Sequence, residues 1–329
     1  MTGKPRILSG MRPTGALHLG HLVGALRNWS ALQERYDCFF MVADWHAFMS
    51  EYQDARRIPE SSLDNVIDWL SCGIDPERST LFVQSQVPEH LELSLIFACL
   101  TPLGMLERCP TYKEQLRELT TREINTYAFL GYPVLQAADI LMYKAAVVPV
   151  GEDQLPHLEL TREIARRFNN LVKRSVFPEP DAELTPASRL MGTDGRKMSK
   201  SYGNFISLSD APAMVRKKVM SMFTDPQRIH KTDPGDAERC NVYRYYQIFA
   251  PSEISANIPG QCCAAQIGCT DCKQQLAGIL IALLEPIQAA RRQWEAAPER
   301  VREILARGQA VAQQAARQTM QEVKPLVGL

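Results

Sequence analysis

The chain has 329 residues, with 37 basic and 37 acidic side chains and a formal net charge of zero. A balanced charge excludes a global field that would attract nucleic acid or an anionic membrane, so any RNA contact must use a local patch. The length exceeds what a single hydrophobic core usually serves, which predicts two domains.

The first residues, Met1 to Arg6, carry two basic side chains but lead into Ile7 without a long apolar stretch. No apolar run elsewhere in the sequence is long enough to span a bilayer. We therefore expect a cytoplasmic protein with no membrane partner. In a reducing compartment, nine cysteines do not predict a disulfide framework.

Short β-rich runs alternate with helical stretches, which predicts parallel βαβ units. The predicted strands are residues 6–8, 38–42, 80–83 and 146–150. An apolar repeat at helical spacing over residues 19–32 places a helix directly after the first strand and its glycine-rich turn. We expect an α/β fold with a doubly wound parallel sheet of Rossmann type.

Helical periodicity dominates residues 91–143, which predicts a helical insertion between the third and fourth strands. Strand patterns largely stop after Leu208, and Pro298 fits the first turn of a last helix. The predicted domains are residues 1–205, which contain the insertion, and residues 206–329, which are all helical.

A glycine-containing turn with two histidines, His18-Leu19-Gly20-His21, stands where the first strand gives way to the first helix. Glycine lets the backbone approach a ligand, a helix N-terminus favours phosphate, and two imidazoles can donate hydrogen bonds to a reacting α-phosphate. An isolated motif of this kind is more often a helix cap beside a packed histidine.

A second glycine-flanked segment, residues 192–201, contains Lys197-Met198-Ser199-Lys200-Ser201. Two lysines and two hydroxyls suit a triphosphate whose charge must be neutralised as pyrophosphate leaves. An isolated run of this kind is usually a solvated loop. The order and separation of the two segments together predict a nucleotide site.

These two segments resemble the HIGH and KMSKS signatures of the class I aminoacyl-tRNA synthetases. A third block contains Tyr132-Pro133-Val134-Leu135-Gln136-Ala137-Ala138-Asp139, followed by Val148-Pro149-Val150-Gly151-Glu152-Asp153-Gln154. This block resembles bacterial tryptophanyl-tRNA synthetases, and the resemblance extends over nearly the whole chain.

The resemblance implies an enzyme that activates L-tryptophan with ATP and Mg²⁺, releases pyrophosphate and transfers the acyl group to the 3′ end of tRNA(Trp). It also implies a homodimer, with residues 91–143 at the dimer face, and a helical domain that binds the anticodon.

The resemblance assigns roles to individual residues. The catalytic set is His18, His21, Lys197 and Lys200. The ATP-binding set is Arg12, Thr14, Gly20, His21, Lys113, Gly151, Asp153, Lys197, Met198, Ser199, Lys200 and Ser201. The tryptophan-binding set is Leu8, Gly10, His46, Tyr132, Gln136, Asp139, Val148, Val150 and Gln154.

Within the tryptophan set, Asp139 would accept the indole N–H. The α-amino and carboxylate groups would be held by Tyr132, Gln136 and Gln154. His46 would contact the substrate carboxylate or the adenylate, although a packed histidine at a strand end is an equal reading.

The fourth predicted strand supplies both pocket wall and ribose contacts. Val148 and Val150 stand at alternate positions and would line the ring pocket on their shared face. Gly151 and Asp153 follow the strand, where open α/β sheets bind ligands, and would contact the ribose. Leu8 stands where many relatives have an aromatic residue beside the indole.

Other functions stay open at this point. Tyr-x-x-x-Gln-x-x-Asp also occurs in tyrosyl-tRNA synthetases, where the carboxylate meets a phenol, although the Gly-Glu-Asp-Gln segment and the helix after it favour tryptophan. A nucleotidyltransferase that makes a dinucleotide cofactor could use the same histidine turn but would not need a helical C-terminal third. A non-enzymatic RNA-binding relative would be expected to lose the signature lysines or histidines, which are all present.

Five of the nine cysteines fall between Cys240 and Cys272. Cys240, Cys262, Cys269 and Cys272 give C-x21-C-x6-C-x2-C, and the choice of Cys263 gives C-x22-C-x5-C-x2-C. Zinc sites usually show two close pairs, and this set has one, which favours a [4Fe–4S] cluster over zinc. The segment resembles a branch of bacterial tryptophanyl-tRNA synthetases with such a cluster near the anticodon-binding region, and unligated thiols are the alternative.

Overall fold

The computed structural model describes residues 3–110, 112–113, 125–184, 190–196, 198, 200 and 202–329. The strands are β1 (Arg6–Met11), β2 (Asp37–Val42), β3 (Ser79–Val83), β4 (Val147–Val150) and β5 (Asp181–Leu184). The α-helices of the described residues are α1 (Leu19–His21), α2 (Arg27–Leu32), α3 (Asp44–Glu51), α4 (Ile58–Ser71), α5 (Glu89–Leu100), α6 (Leu103–Glu107), α7 (Tyr127–Met142), α8 (Leu155–Val172), α9 (Pro212–Met220), α10 (Asn241–Phe249), α11 (Ser252–Cys263), α12 (Cys269–Glu295) and α13 (Pro298–Leu326). A π-helical turn covers Leu22–Leu26, and 3-10 turns cover Tyr52–Arg57, Gln84–Gln86, Glu152–Gln154 and Ala237–Arg239.

The sheet has five parallel strands in the order β3-β2-β1-β4-β5. On one side β1 pairs with β2, with Leu8 opposite Phe39, and on the other side Ile7 lies opposite Val147 of β4. The strand order therefore reverses between β1 and β4, and ligands bind such sheets beyond the carboxyl ends of the strands at this point. The predicted doubly wound parallel sheet is confirmed.

The sequence did not predict β5. Its residues, Asp-Ala-Glu-Leu, include two carboxylates, and the strand lies at the sheet edge beside β4, with both of its end residues exposed. An edge strand that buries little apolar surface carries no clear hydrophobic pattern, so sequence periodicity does not reveal it.

The chain forms two compact units. The first consists of Met1–Gly15, Asn28–Ala187 and Ala297–Leu329 and contains the sheet. The second consists of Ala16–Arg27 and Ser188–Ala296. Residues 206–329 are all described and contain helices and no strand. The domain boundary at residue 205 stays a prediction.

The first unit buries apolar side chains on both faces of its sheet, as parallel sheets do. Successive residues of a strand point to opposite faces. Phe39 accordingly packs with Leu8 and Phe82 in one hydrophobic cluster, whereas the Phe40 ring stacks on Trp29 with 4.5 Å between ring centroids. Both faces of the sheet are therefore covered.

The second unit is built around the long helix α12. Its fully buried leucines, Leu276, Leu280 and Leu284, recur every four residues and form one apolar stripe. The hydroxyl of the buried Tyr246 on α10 donates a hydrogen bond to the Cys272 carbonyl at 2.7 Å. Among the described residues, no helix is both long and apolar enough to cross a bilayer.

Gly308 is required where α13 crosses β3 in the first unit. A Cβ built on Gly308 would lie 1.8 Å from the Leu81 carbonyl oxygen, so the two backbones could not keep their separation. We expect Gly308→Ala to lower the free energy of unfolding by about 1–3 kcal/mol, the usual cost of overpacking.

Gly278, in the middle of α12, is the matched control because its added Cβ would meet nothing within 4 Å. There, Gly→Ala should stabilise by about 0.5–1 kcal/mol through helix propensity alone. Urea unfolding of both variants measures the difference, and equal shifts in the same direction would contradict the close packing of α13 on β3.

Candidate functional site

The signature turn His18-Leu19-Gly20-His21 lies in the second unit and opens α1. Nδ1 of His18 accepts a hydrogen bond from the Gly20 backbone N–H at 3.1 Å, and Nδ1 of His21 accepts one from the His18 N–H at 3.2 Å. The two rings lie 3.9 Å apart, centroid to centroid. Because each Nδ1 is an acceptor, a neutral ring carries its proton on Nε2.

Both imidazoles are neutral near pH 7. Burial, and then the charge of Lys200, lowers the pKa of His18 to about 3. Burial, followed by His18 and Lys200, holds the pKa of His21 well below its usual value. A cap and a ligand contact are therefore compatible, since the cap uses Nδ1 and donation to a ligand oxygen uses Nε2–H.

Part of the second signature lies beside the first within the second unit. Three of its residues lie outside the described part of the chain: Lys197, Ser199 and Ser201. Met198 is buried, and a Cβ built on Gly20 would lie 3.4 Å from its sulfur and 2.9 Å from the His18 ring. The charge of Lys200 lowers the pKa of both imidazoles. The two signatures, distant in sequence, are thus brought together.

Backbone hydrogen bonds join the histidine turn to the residues that follow the lysine segment. The N–H of Leu19 donates to the Ile206 carbonyl at 3.0 Å, and the N–H of Leu208 donates to the Leu17 carbonyl at 3.0 Å. Because these bonds join backbone atoms, they do not depend on side-chain conformation. They fix the position of the histidine turn relative to the residues that follow the lysine segment.

The base of the lysine loop is anchored on α10. Asn241 Nδ2 donates to the Gly192 carbonyl at 2.7 Å, and the Tyr245 hydroxyl donates to the Met191 carbonyl at 2.6 Å. Gly192 itself has no space for a side chain, since its Cβ would overlap the Asn204 amide. These bonds satisfy carbonyls at the start of the loop and fix where it begins.

A buried carboxylate organises the site of the first unit. Asp139 is 2% exposed and lies on α7, three residues after the half-buried Gln136. Its Oδ2 lies 2.8 Å from His46 Nε2, and its Oδ1 lies 2.8 Å from Gln84 Nε2 and 2.7 Å from His90 Nδ1. A carboxylate accepts about four hydrogen bonds, so the three described donors are compatible with one more.

These donors keep Asp139 ionised. Burial raises the pKa of Asp139, but the hydrogen bonds from His46 and His90 outweigh that effect and leave the pKa below its usual value. The side chain is therefore an acceptor near neutral pH. A ligand N–H is the partner that suits it.

The sequence did not identify Gln84 and His90. His90 is fully buried, and its Nε2 lies 2.7 Å from the Tyr143 hydroxyl. Burial, and then the charges of Asp139 and Glu89, raises the pKa of Tyr143 well above its usual value, so the hydroxyl stays protonated. The available signal was position, because Gln84 directly follows β3 and the carboxyl ends of parallel strands form the ligand-binding edge of the sheet.

A second polar chain runs from α7 to the end of β4. The Tyr132 hydroxyl lies 2.8 Å from His157 Nε2, His157 Nδ1 lies 3.0 Å from Gln154 Oε1, and Gln154 Nε2 donates to Asp153 at 3.1 Å. Burial lowers the pKa of His157 to about 4, so its ring is neutral. With Nδ1–H donating to the amide oxygen, Nε2 accepts from Tyr132. His157 was not among the site residues predicted from the sequence. Its only signal there was its position three residues after Gln154.

The apolar residues of the tryptophan set lie together. Leu8, Val148 and Val150 are buried in one hydrophobic cluster on adjacent strands. A Cβ on Gly10 would lie 3.0 Å from the Met41 carbonyl oxygen, so a side chain there would press on β2.

The first unit also contains five residues of the ATP-binding set. Gly151 follows β4, and its Cβ would lie 2.7 Å from Asp153 Oδ1, so only glycine allows this carboxylate to fold back over the turn. Arg12 and Thr14 follow β1 and are joined by a backbone hydrogen bond of 2.9 Å. Lys113 is exposed.

Four cysteines of the second unit line one small cavity of about 20 Å³. They are Cys240, Cys262, Cys269 and Cys272. Cys263 is exposed and does not line it. Arg228 Nη1 donates to Cys262 Sγ at 3.6 Å. Burial raises the pKa of the Cys272 thiol to about 12.

The cysteines do not converge on a single point. Throughout the described residues, no group of three or more His, Cys, Asp and Glu side chains has the spacing to hold one metal ion. Tetrahedral zinc with Zn–S bonds of about 2.3 Å requires sulfurs about 3.8 Å apart. The cavity therefore has the donor type but not the spacing of a closed zinc site.

Known proteins resemble the chain over almost all of its length. Residues 1–285 match the family model of tRNA synthetases class I (W and Y). The tryptophan–tRNA ligase of Thermotoga maritima is 50% identical over 326 residues, which cover 98% of this chain and 99% of that protein. The one from Aquifex aeolicus is 42% identical and covers 98% of this chain and 100% of its own.

Solved structures agree with this similarity. The tryptophanyl-tRNA synthetase of Campylobacter jejuni, complexed with ADP and tryptophan, superposes with a TM-score of 0.88 at 33% identity and covers 98% of this chain and 100% of its own. The tyrosyl-tRNA synthetase of Archaeoglobus fulgidus, at 23% identity and a TM-score of 0.67, shares the fold alone. The predicted tryptophan enzyme is confirmed over the tyrosine alternative. The chain belongs to the class I tRNA synthetases and, within them, to the tryptophan–tRNA ligases.

Proposed function

We propose that the chain activates L-tryptophan with ATP and transfers it to tRNA(Trp), with the site residues in the roles that follow. The observation that carries this proposal is the buried, ionised Asp139. It stands on one helix with Tyr132 and Gln136, beside an apolar wall. A buried acceptor of this kind suits a ring that presents an N–H.

In the proposed complex, Asp139 accepts the indole N–H. A site built to hydrogen-bond such a group rejects analogues that lack it, because its buried acceptor would then lose a partner. The wall beside the ring is formed by Leu8, Gly10, Val148 and Val150. The α-amino and carboxylate groups are held by Tyr132, Gln136 and Gln154. His46 directs Nε2 to Asp139, so its contact with the substrate carboxylate or the adenylate would use Nδ1.

The nucleotide is held through its phosphates and ribose. His18 and His21 donate Nε2–H to phosphate oxygens, and Lys200 adds positive charge beside them. The other residues proposed to bind ATP are Arg12, Thr14, Gly20, Lys113, Lys197, Met198, Ser199 and Ser201. Gly151 and Asp153 contact the ribose. Mg²⁺, which accompanies ATP, supplies further neutralisation of the phosphate charge.

Activation needs no covalent enzyme intermediate. An oxygen of the tryptophan carboxylate attacks the α-phosphorus in line, the bond from that phosphorus to the bridging oxygen breaks, and pyrophosphate leaves with the electron pair. The residues contribute position and charge stabilisation. In the second step a hydroxyl of the terminal tRNA ribose, the 2′-hydroxyl by class analogy, attacks the acyl carbon, loses its proton and displaces AMP.

Lys200 provides the test of the catalytic assignment. We expect Lys200→Ala to lower kcat for tryptophan-dependent ATP–pyrophosphate exchange about 100-fold, because one preorganised group at a developing charge contributes about 10²–10³-fold. The Kd for tryptophan should change less than about twofold, since the lysine acts on phosphate.

Lys217→Ala is the control, because Lys217 is an exposed cation on α9 outside the signature. Its kcat should equal that of the wild type. Equal losses of kcat and of tryptophan affinity in Lys200→Ala would contradict a role in activation alone.

Residues 206–329 are proposed to form the anticodon-binding domain. The chain is further proposed to act as a homodimer in the cytoplasm, where tRNA is charged. Leu91 and Leu95 on α5 and Leu103 on α6 are exposed, the last two by 60% or more, and support residues 91–143 as the dimer face. A monomeric mass in solution would contradict the dimer.

The four cysteines of the second unit are proposed to hold a [4Fe–4S] cluster. The support for this proposal is that four cysteines line one cavity, since a [4Fe–4S] cluster is held by four cysteine thiolates. Arg228 offers a positive charge to this site. The cluster would supply a rigid, charged crosslink within the helical unit.

Neighbouring cysteines give a matched test of the cluster. Cys262→Ser should abolish iron and acid-labile sulfide in anaerobically purified protein, whereas Cys263→Ser, at the exposed neighbour, should retain about four of each per chain, as in the wild type. Metal analysis and the visible spectrum measure both. Zinc in place of iron, or equal iron in both variants, would contradict the proposed ligands.

A further inference from the structure

Asp139 is held from the side of β3 by two buried residues. Gln84 Nε2 and His90 Nδ1 both reach Oδ1, at 2.8 and 2.7 Å. Gln84 and His90 are both fully buried. The bonds are therefore made away from water, where a hydrogen bond to a charged group contributes more than at the surface.

Tyr143 favours the tautomer of His90 that donates to Asp139. The ionised Asp139 can only accept, so the Nδ1 that faces it carries a proton; in a neutral ring Nε2 then accepts from the Tyr143 hydroxyl, 2.7 Å away, and this bond favours the same tautomer. Without this bond the ring could place its proton on Nε2 and turn a lone pair toward the carboxylate. Tyr143, His90 and Asp139 thus form a chain with one direction of donation.

Gln84 completes the arrangement at a cost. Its amide oxygen is buried and has no hydrogen-bond partner among the described residues, which is unfavourable. The amide N–H on Asp139 is retained despite this cost. The orientation of the Gln84 side chain therefore serves its hydrogen bond to Asp139 and leaves its own amide oxygen without a partner.

We propose that His90, with its proton placed by Tyr143, is a positioning residue that orients Asp139 and thereby sets selection for a substrate ring that carries an N–H. The inference rests on the proposed contact between Asp139 and the indole N–H. His90 touches neither substrate nor ATP in this account. Its effect reaches the substrate through the orientation of the carboxylate.

The test compares L-tryptophan with β-(3-benzothienyl)-L-alanine, an isostere with sulfur in place of the N–H. The measured quantity is the ratio of the two kcat/KM values in ATP–pyrophosphate exchange. His90→Leu removes the donor and should lower the preference for tryptophan about tenfold, through loss of tryptophan activity, because a buried hydrogen bond to a charge is lost. His90→Asn places an amide N–H near the position of Nδ1 and should keep the preference within about threefold.

Tyr143→Phe keeps His90 and the packing of the ring while removing the hydroxyl. This variant should lower the preference for tryptophan about threefold. Thermal unfolding will show whether His90→Leu folds, and Tyr143→Phe keeps the test valid if it does not. A purely structural role would raise KM for both substrates equally and leave the ratio unchanged. That result in the folded variants would overturn the inference.

Asp139→Asn distinguishes a failure of the positioning role of His90 from a failure of the proposed contact between Asp139 and the indole N–H. If Asp139→Asn loses the preference while the His90 and Tyr143 variants retain it, the indole contact stands and the positioning role is wrong. If Asp139→Asn also retains the preference, the proposed indole contact is itself wrong, and the positioning role is overturned with it.

Discussion

The site of the first unit depends on keeping one carboxylate ionised inside the protein. An unpaired charge moved out of water costs several kcal/mol, so Asp139 is stable as an anion only with donors around it. Those donors come from His46 after β2 and from Gln84 and His90 after β3. The parallel sheet makes this possible, because the carboxyl ends of its strands lie on the same edge.

In the second unit the requirement is the opposite, because two imidazoles must stay neutral beside a cation. His18 and His21 are buried near Lys200, and both effects favour the uncharged ring. Their Nδ1 atoms are occupied by the backbone of the turn, which fixes Nε2–H as the donor. A phosphate bound here would meet neutral directional donors beside one positive charge, a combination suited to charge that develops during reaction.

Much of the fold followed from sequence, and the reasons differ between elements. Four strands contain runs of buried apolar residues, which the sequence reveals, whereas β5 shows no such run. Asp139, Tyr132 and Gln136 were identified through the family resemblance, because their spacing along one helix matches a signature of the family. The grouping of the cysteines around a cavity was likewise foreshadowed by their clustering in sequence.

The residues that could not be predicted from the sequence are those whose hydrogen-bond partners lie far away along the chain. Gln84 and Asp139 are 55 positions apart, and His90 and Tyr143 are 53 apart, with no repeat or motif to connect them. His157 shows the same limitation, because its bond to Tyr132 requires α7 and α8 to be packed first. Hydrogen-bond networks of this kind are products of tertiary structure and leave little trace in local patterns.

The most direct measurement of the central claim is ATP–pyrophosphate exchange by the wild-type chain, run in parallel with tryptophan, tyrosine and phenylalanine as the only amino acid. The account predicts exchange with tryptophan and a much lower kcat/KM for the other two, because neither presents an N–H to Asp139. Comparable exchange with tyrosine would contradict it, since the buried carboxylate would then be receiving a phenol rather than an indole.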